Sequence, residues 1–272
     1  IAIEYEKSFI ESYEYNNPEC ICLNEDITKL DCKEISNEYV KNKEIEGIIG
    51  GPPCQGFSSV GNRKLDDPRN MLIYFFIKWV EHFKPTFYVM ENVSGILTMA
   101  KGQVGEKVKK MYEDIGYTCQ MKTLIAADYG VPQLRKRVFF IGTKDGKLKS
   151  LKIPKTNREN TGQRTLFDID SLSQYLTVMD AISDILNIEP FKENNGEISY
   201  KEYKNPPKTD YEKYLRKNSD KLYEHIAPNH TQLVIERISH IKQGKNHASL
   251  PPKYQLKGGY PNFYGRLHLK KP

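Results

Sequence analysis

Residues 45–59 read Ile-Glu-Gly-Ile-Ile-Gly-Gly-Pro-Pro-Cys-Gln-Gly-Phe-Ser-Ser, an apolar run that leads into a stiff turn. The turn places Cys54 just beyond the run, and open α/β sheets bind their ligands at the carboxyl ends of their strands. A structural cysteine is usually buried among apolar side chains, whereas Cys54 has small neighbours and a loop-like context. The pattern predicts a nucleophilic thiol, with a tight structural turn as the alternative.

Two further blocks follow strand-like runs later in the chain. Residues 86–90 are β-prone and lead into Glu91-Asn92-Val93. Residues 129–137 carry Arg135 and Arg137 and lead into the apolar run 138–142. Taken singly, the glutamate also fits a surface carboxylate and the arginines a basic edge. Together with the cysteine, at three successive strand ends, they indicate one active site.

The first 150 residues alternate strand-like and helix-like stretches, which predicts an α/β protein with a doubly wound, mostly parallel sheet. Strands are predicted at 1–3, 20–23, 47–49, 86–90, 124–126 and 138–142, and helices at 6–15, 71–83 and 105–115. Helical patterns return at 177–186, 210–223 and 231–241, after polar connectors at 144–165 and 189–208. We expect a catalytic domain over residues 1–190 and a smaller region over 191–272. The single tryptophan, Trp79, is expected in the core.

Charge separates the two parts of the chain. Residues 191–272 hold 16 Lys and Arg against 8 Asp and Glu, whereas the preceding 190 residues hold 25 against 27. No acidic residue follows Glu236, and aromatic side chains are interleaved with the basic ones. Such a surface is typical of a nucleic-acid partner, although a solvated basic tail fits the same counts.

Other protein classes are disfavoured. No apolar stretch has the roughly 18–20 residues that span a bilayer, and the N-terminal residues do not resemble a signal peptide, so we expect a soluble, cytoplasmic protein without a membrane partner. The five cysteines form no even disulfide framework, and Cys20-x-Cys22 is too closely spaced for the usual zinc pair. We expect reduced thiols and no metal site.

Pro53-Cys54-Gln55, Glu91-Asn92-Val93 and Gln133-x-Arg135-x-Arg137 resemble, in order, three motifs of the DNA (cytosine-5)-methyltransferases. The resemblance covers nearly the whole chain and implies a Rossmann-like, S-adenosylmethionine-dependent methyltransferase fold. It implies that Cys54 adds to carbon 6 of cytosine while Glu91 meets the charge at ring nitrogen 3. Arg137 would donate to the ring's O2, and Arg135 would orient Glu91 or bind a phosphate.

The resemblance also implies S-adenosyl-L-methionine as cofactor, with S-adenosyl-L-homocysteine as product. The residues it assigns to this cofactor are Glu4 and Tyr5 near the ribose and adenine, Asp26 and Ile27 at the adenine, and Pro53 and Leu72 near the methionine part. Asp26 alternatively caps a helix over residues 27–30. The family's glycine-rich first motif would lie before residue 1 and its last two motifs after residue 272, so we expect the segment alone to be inactive or unstable.

The substrate implied is double-stranded DNA, with the target base flipped out under a loop at residues 55–70. Residues from about 195 onward occupy the place of the family's target-recognition region. We expect a monomer from the modification half of a prokaryotic restriction–modification system, with a cognate restriction endonuclease as a functional partner. The alternatives are an RNA (tRNA) cytosine-5 methyltransferase and a catalytically inactive DNA-binding homologue.

Overall fold

A computed structural model describes residues 1–41, 43–53, 71–144, 175–191, 199–256 and 264–272. Its contacts divide the chain into two compact units, one of Ile1–Leu124 with Lys136–Ile153 and one of Ile125–Arg135 with Pro154–Pro272. The boundary expected near residue 190 stays a prediction. No helix in the described part of the chain combines the length and the apolar character that crossing a bilayer requires.

The first unit alternates strands and helices, as the sequence predicts. Its strands are β1 (Ala2–Glu4), β2 (Cys22–Asn24), β3 (Gly47–Gly50), β4 (Phe87–Val93), β5 (Gln120–Ile125) and β6 (Lys136–Thr143). Its helices are α1 (Lys7–Asn16), α2 (Cys32–Ile35), α3 (Met71–Phe83) and α4 (Gln103–Asp114). A π-helical turn, Ser36–Val40, extends α2, and short 3-10 helices lie at Ser94–Leu97 and Met99–Gly102. The 3-10 helix Ala126–Tyr129 belongs to the second unit.

The strands pair in two sheets, and the α/β class is confirmed. Strands β1 and β2 form a parallel pair, and the larger sheet has the order β3-β4-β6-β5. Strand β3 is parallel to β4, whereas β4 and β6 are antiparallel and stay in register as far as the pair Val93 and Arg137. Glu91 therefore lies inside β4, opposite Phe139, and the prediction that it follows the strand is wrong.

Helix α3 supplies the apolar surface that covers the larger sheet. Phe76 and Val80 of this helix are buried in one cluster with Met90 of β4. The ring of Tyr88, in β4, stacks on that of Tyr112, in α4, at 3.8 Å. Helix α3 also contributes Trp79 to a second cluster that includes partly buried side chains of β1 and β2. The predicted core position of Trp79, which is 7% exposed, is confirmed.

The second unit is built from short elements. They are α5 (Val178–Ile182), β7 (Tyr200–Glu202), α6 (Asp210–Leu215), β8 (Lys221–Tyr223), α7 (Gln232–Ser239) and 3-10 turns at His247–Ser249 and Pro252–Tyr254. The single helix predicted over 210–223 is wrong: the chain leaves α6 after Leu215 and then forms β8, which pairs antiparallel with β7. Helix α5 begins at the predicted cap, Thr177, in a capping box with Asp180.

A buried carboxylate fixes this unit. Glu212 is 1% exposed. Its two carboxylate oxygens accept hydrogen bonds from the Ser183 hydroxyl at 2.6 Å and from the backbone N–H groups of Asp184, Lys208 and Thr209. Burial opposes ionisation of Glu212, but the bond from Ser183 and the three backbone bonds together lower the pKa of this carboxyl below its ordinary value. Glu212 therefore joins α5 to α6 as an ionised group.

Candidate active site

The candidate site is built where β3 and β4 run side by side. Gly50, the last residue of β3, pairs with Met90, so the following residue, Gly51, lies beside Glu91. A Cβ atom at Gly51 would stand 3.3 Å from Oε2 of Glu91, a contact tighter than side chains normally make. Gly50 lacks a Cβ for a packing reason, since one would stand 2.7 Å from the Phe76 ring. These glycines let the chain beyond β3 pass close to both α3 and Glu91.

Glu91 is held by an ion pair. Its Oε1 lies 2.7 Å from Nε of Arg137, and the two side chains are 36% and 22% exposed. The antiparallel register of β4 and β6 brings these residues together from positions 46 apart in the sequence. Arg137 thus has the orienting contact that the sequence analysis gave to Arg135. A charge-assisted bond in this partly buried position fixes the carboxylate more firmly than a bond at an exposed site.

Asn92 was missed as a site residue by the sequence analysis, which used it only as a motif letter. It is 3% exposed, and its Nδ2 donates a hydrogen bond to the Pro52 carbonyl oxygen at 3.1 Å. Its Oδ1 accepts from the backbone N–H of Val93 at 2.9 Å. An amide next to a functional carboxylate in a buried strand is the signal that could have identified Asn92, because buried polar groups require hydrogen-bond partners.

Cys54 and the loop at residues 55–70 lie outside the described residues. The described chain ends on this side at Pro53, which is exposed. Cys54 follows Pro52, the residue bound by Asn92, by two positions. Arg135 is exposed, and its backbone carbonyl oxygen accepts a hydrogen bond from Ala126 N–H at 2.9 Å. The proposed roles of Cys54 and Arg135 stay predictions.

A second group of polar residues lies at the carboxyl ends of β1 and β2. Glu4 and Asn24 pair across these strands, and the Asn24 amide donates to the carbonyl oxygens of Glu4 and Tyr5. The Tyr5 side chain is 72% exposed. Glu4 therefore stands at the strand end that the sequence predicts, with an aromatic ring available beside it.

Asp26 lies two residues beyond this strand end. Its Oδ1 accepts from the N–H and the hydroxyl of Thr28, and these bonds, the backbone one first, lower the pKa of the carboxyl. Residues 27–29 form a turn rather than the helix of the alternative interpretation. Ile27 packs against the cluster around Trp79, and Leu72 is half-buried in α3. The proposed cofactor contacts of all these residues stay predictions.

Cys32, which is buried, and Cys119, which is partly buried, are poorly suited to nucleophilic chemistry. Burial raises the pKa of Cys119 to about 11 and also raises the pKa of Cys32. A thiol that stays protonated is a weak nucleophile. Among the described residues, no group of three or more His, Cys, Asp and Glu side chains is placed to hold a metal ion.

The basic part of the chain forms local aromatic and cationic clusters in the second unit. The His240 and Tyr254 rings stack at 4.7 Å, and the Lys253 ammonium lies 4.4 Å from the centre of the Tyr254 ring. Arg237 donates from Nε to the Tyr254 carbonyl oxygen at 3.1 Å. These contacts join side chains within residues 237–254 into a local cluster.

Comparison with known proteins gives one consistent result. The profile of the family described as C-5 cytosine-specific DNA methylase matches residues 1–260. The chain is 36% identical to the type II methyltransferase M.DdeI of Desulfomicrobium norvegicum, over 98% of this chain and 61% of the relative. It is 32% identical to the type II methyltransferase M1.HphI of Haemophilus parahaemolyticus, over 100% of this chain and 62% of the relative. The chain thus spans less than two thirds of the length of either relative.

A solved structure shows the same fold. It is described as that of a candidate DNA modification methyltransferase encoded within an Escherichia coli prophage. The match has a TM-score of 0.68 at 24% identity and covers 100% of this chain and 77% of the other. At this identity the similarity concerns the fold alone.

Proposed function

Because the chain belongs to the C-5 cytosine-specific DNA methylase family, we propose that it carries the catalytic domain of an enzyme that methylates carbon 5 of cytosine in duplex DNA. The observation that supports this most directly is the Glu91 carboxylate, held by Arg137 and lying against Gly51, three residues before Cys54. This arrangement brings an oriented carboxylate to the chain segment that leads to the proposed nucleophile.

The proposed chemistry requires both groups. Carbon 5 of cytosine is a poor nucleophile because the ring is aromatic. Addition of the Cys54 thiolate to carbon 6 breaks the conjugation and makes carbon 5 nucleophilic. Negative charge then develops on the ring, and Glu91, in protonated or proton-sharing form, meets it with a hydrogen bond at ring nitrogen 3. Because Arg137 holds Oε1, the second oxygen, Oε2, is the one that faces Gly51 and is suited to this contact.

The residues at the ends of β1 and β2 fit the proposed cofactor. S-adenosylmethionine supplies an electrophilic methyl group when bound. A carboxylate at a strand end is the usual partner of ribose hydroxyls in nucleotide-binding α/β domains, and Glu4 occupies that position. Hydrogen bonds from Thr28 keep Asp26 ionised, which suits it to accept from an amino group of adenine. The exposed Tyr5 ring offers a surface against which a base or sugar can pack.

The second unit carries the charge that a DNA substrate needs. Its basic residues outnumber the acidic ones after residue 190, and lysines bound to phosphates account for much of the affinity of DNA-binding proteins. We assign target recognition to this part. Type II methyltransferases among the relatives favour a restriction–modification role, with a cognate endonuclease as a functional partner.

The test is transfer of a labelled methyl group from S-adenosylmethionine to duplex DNA by an active protein that carries this chain. Labelled 5-methylcytosine in the DNA is the expected product, and Cys54→Ser is expected to abolish it. Transfer that persists in Cys54→Ser would show that the nucleophile is wrong. A competition between duplex DNA and tRNA separates the DNA enzyme from an RNA cytosine-5 methyltransferase. No transfer to either substrate would favour an inactive DNA-binding homologue.

A further inference from the structure

Asn92 joins two parts of the candidate site. It is buried in β4 next to Glu91, and its Nδ2 donates to the carbonyl oxygen of Pro52, 3.1 Å away. Pro52 lies beyond the last residue of β3, where strand pairing with β4 has ended. The Asn92 amide therefore holds the backbone at Pro52, where strand pairing no longer does.

The orientation of the Asn92 amide is determined by its second contact. Its Oδ1 accepts from Val93 N–H at 2.9 Å, so the amide nitrogen must face the Pro52 carbonyl. A buried bond of this kind is costly to lose, because the carbonyl oxygen would be left without its donor. The rings of Pro52 and Pro53 fix their own φ angles, and Pro53 also restricts Pro52 before it, so fixing the Pro52 carbonyl limits the direction in which the chain continues.

We propose that Asn92 is a positioning residue for the nucleophile: through the Pro52 carbonyl it sets where the backbone delivers Cys54 relative to Glu91. This inference rests on the proposed function. Asn92 itself does not need to touch the base. A displacement of about 1 Å between reacting groups can cost roughly 100-fold in rate, so a loosened backbone at Pro52 lowers turnover strongly while leaving substrate binding in place.

The test uses Asn92→Asp, which is nearly isosteric. The carboxylate still accepts from Val93 N–H but has no proton to donate to Pro52. Tyr117→Phe is the matched control, because the Tyr117 hydroxyl is also a buried donor to a proline carbonyl, that of Pro85, at 2.6 Å. Both variants lose a buried donor to a proline carbonyl in the first unit.

Single-turnover methyl transfer at saturating DNA and S-adenosylmethionine is measured together with the dissociation constants and the melting temperature. We expect Asn92→Asp to lower the rate constant by about 10- to 100-fold, with both dissociation constants within about twofold of wild type. Tyr117→Phe is expected to lower the melting temperature with a rate constant near that of wild type. Asn92→Ser, which removes the amide without burying a charge, is expected to reproduce the loss of rate.

Each other outcome overturns the proposal. A wild-type rate in Asn92→Asp, or equal losses of rate in Asn92→Asp and Tyr117→Phe, would show that Asn92 acts only on stability. If both Asn92 variants fail to fold while Tyr117→Phe folds, Asn92 likewise acts only on stability. An active wild type with an Asn92→Asp rate constant near that of wild type refutes this inference alone, whereas an inactive wild type refutes the proposed function on which it rests.

Discussion

Replacing Arg137 by methionine removes the cation that orients Glu91 and keeps a long, unbranched side chain. A hydrogen bond to a charged group contributes about 1.5–3 kcal/mol. The 2.7 Å separation is that of a strong bond, but the side chains of Glu91 and Arg137 are 36% and 22% exposed, so solvent screening places the contribution at the lower end. A loss of about 1.4 kcal/mol in the positioning of Glu91 corresponds to roughly a tenfold lower rate.

The assay is single-turnover methyl transfer at saturating DNA and S-adenosylmethionine. Arg137→Lys is expected to be intermediate, since it keeps the charge but not the planar fork of the guanidinium. Lys110→Met is the control, because it removes a cation from an exposed ion pair with Asp114 of similar length, 3.0 Å, and its rate is expected to stay at the wild-type value. If Arg137→Met transfers methyl groups within about twofold of wild type, with an unchanged melting temperature, the orienting role of Arg137 is refuted.

Two further predictions concern stability. Glu212→Gln turns an amide group toward buried donors and should lower the free energy of unfolding of the second unit by about 2–4 kcal/mol in urea titrations. The folded-state pKa of Glu212 is lowered, so the ionised carboxylate stabilises the wild-type protein fully above pH 4.5, the ordinary pKa. This stability is lost as the pH falls through the folded-state pKa. Glu212→Gln should lack this pH dependence. Gly142→Ala should unfold the first unit, as measured by circular dichroism, because the new Cβ would overlap the Thr118 carbonyl oxygen. Gly116→Ala is the control, because its Cβ would meet no atom within 4 Å. It should lower the free energy of unfolding by only about 1 kcal/mol, through the positive φ of residue 116.

The sequence alone predicts those elements that are specified by neighbouring residues. The apolar spacing of residues 71–83 predicts the bounds of α3, and the Thr177 cap predicts the start of α5. It does not predict elements that are specified by pairing with a strand distant in the sequence. Strand β4 continues through Glu91 because β6 pairs with it, and residues 221–223 form a strand because β7 is opposite. Neither partner can be read from the neighbouring residues.

The same distinction holds for the candidate site. The position of Glu4 at the end of β1 follows from the sequence pattern, whereas Glu91 was expected after its strand and lies inside β4. The contact of Arg137 with Glu91 depends on the register of β4 and β6, which a motif alone does not specify. The contact of Asn92 with Pro52 joins residues 40 apart and depends on the register of β3 and β4.

We propose that Cys54 bonds to the pyrimidine ring within reach of Glu91. The decisive experiment incubates the active protein with S-adenosylmethionine and duplex DNA that carries 5-fluorocytosine at the target position, and then analyses the digested complex by mass spectrometry. The fluorine at carbon 5 prevents release of the enzyme, so we expect a stable adduct on the peptide that contains Cys54. An adduct on a different cysteine would contradict the proposed role of Cys54. So would the absence of any adduct, if the same DNA with ordinary cytosine at the target position is methylated.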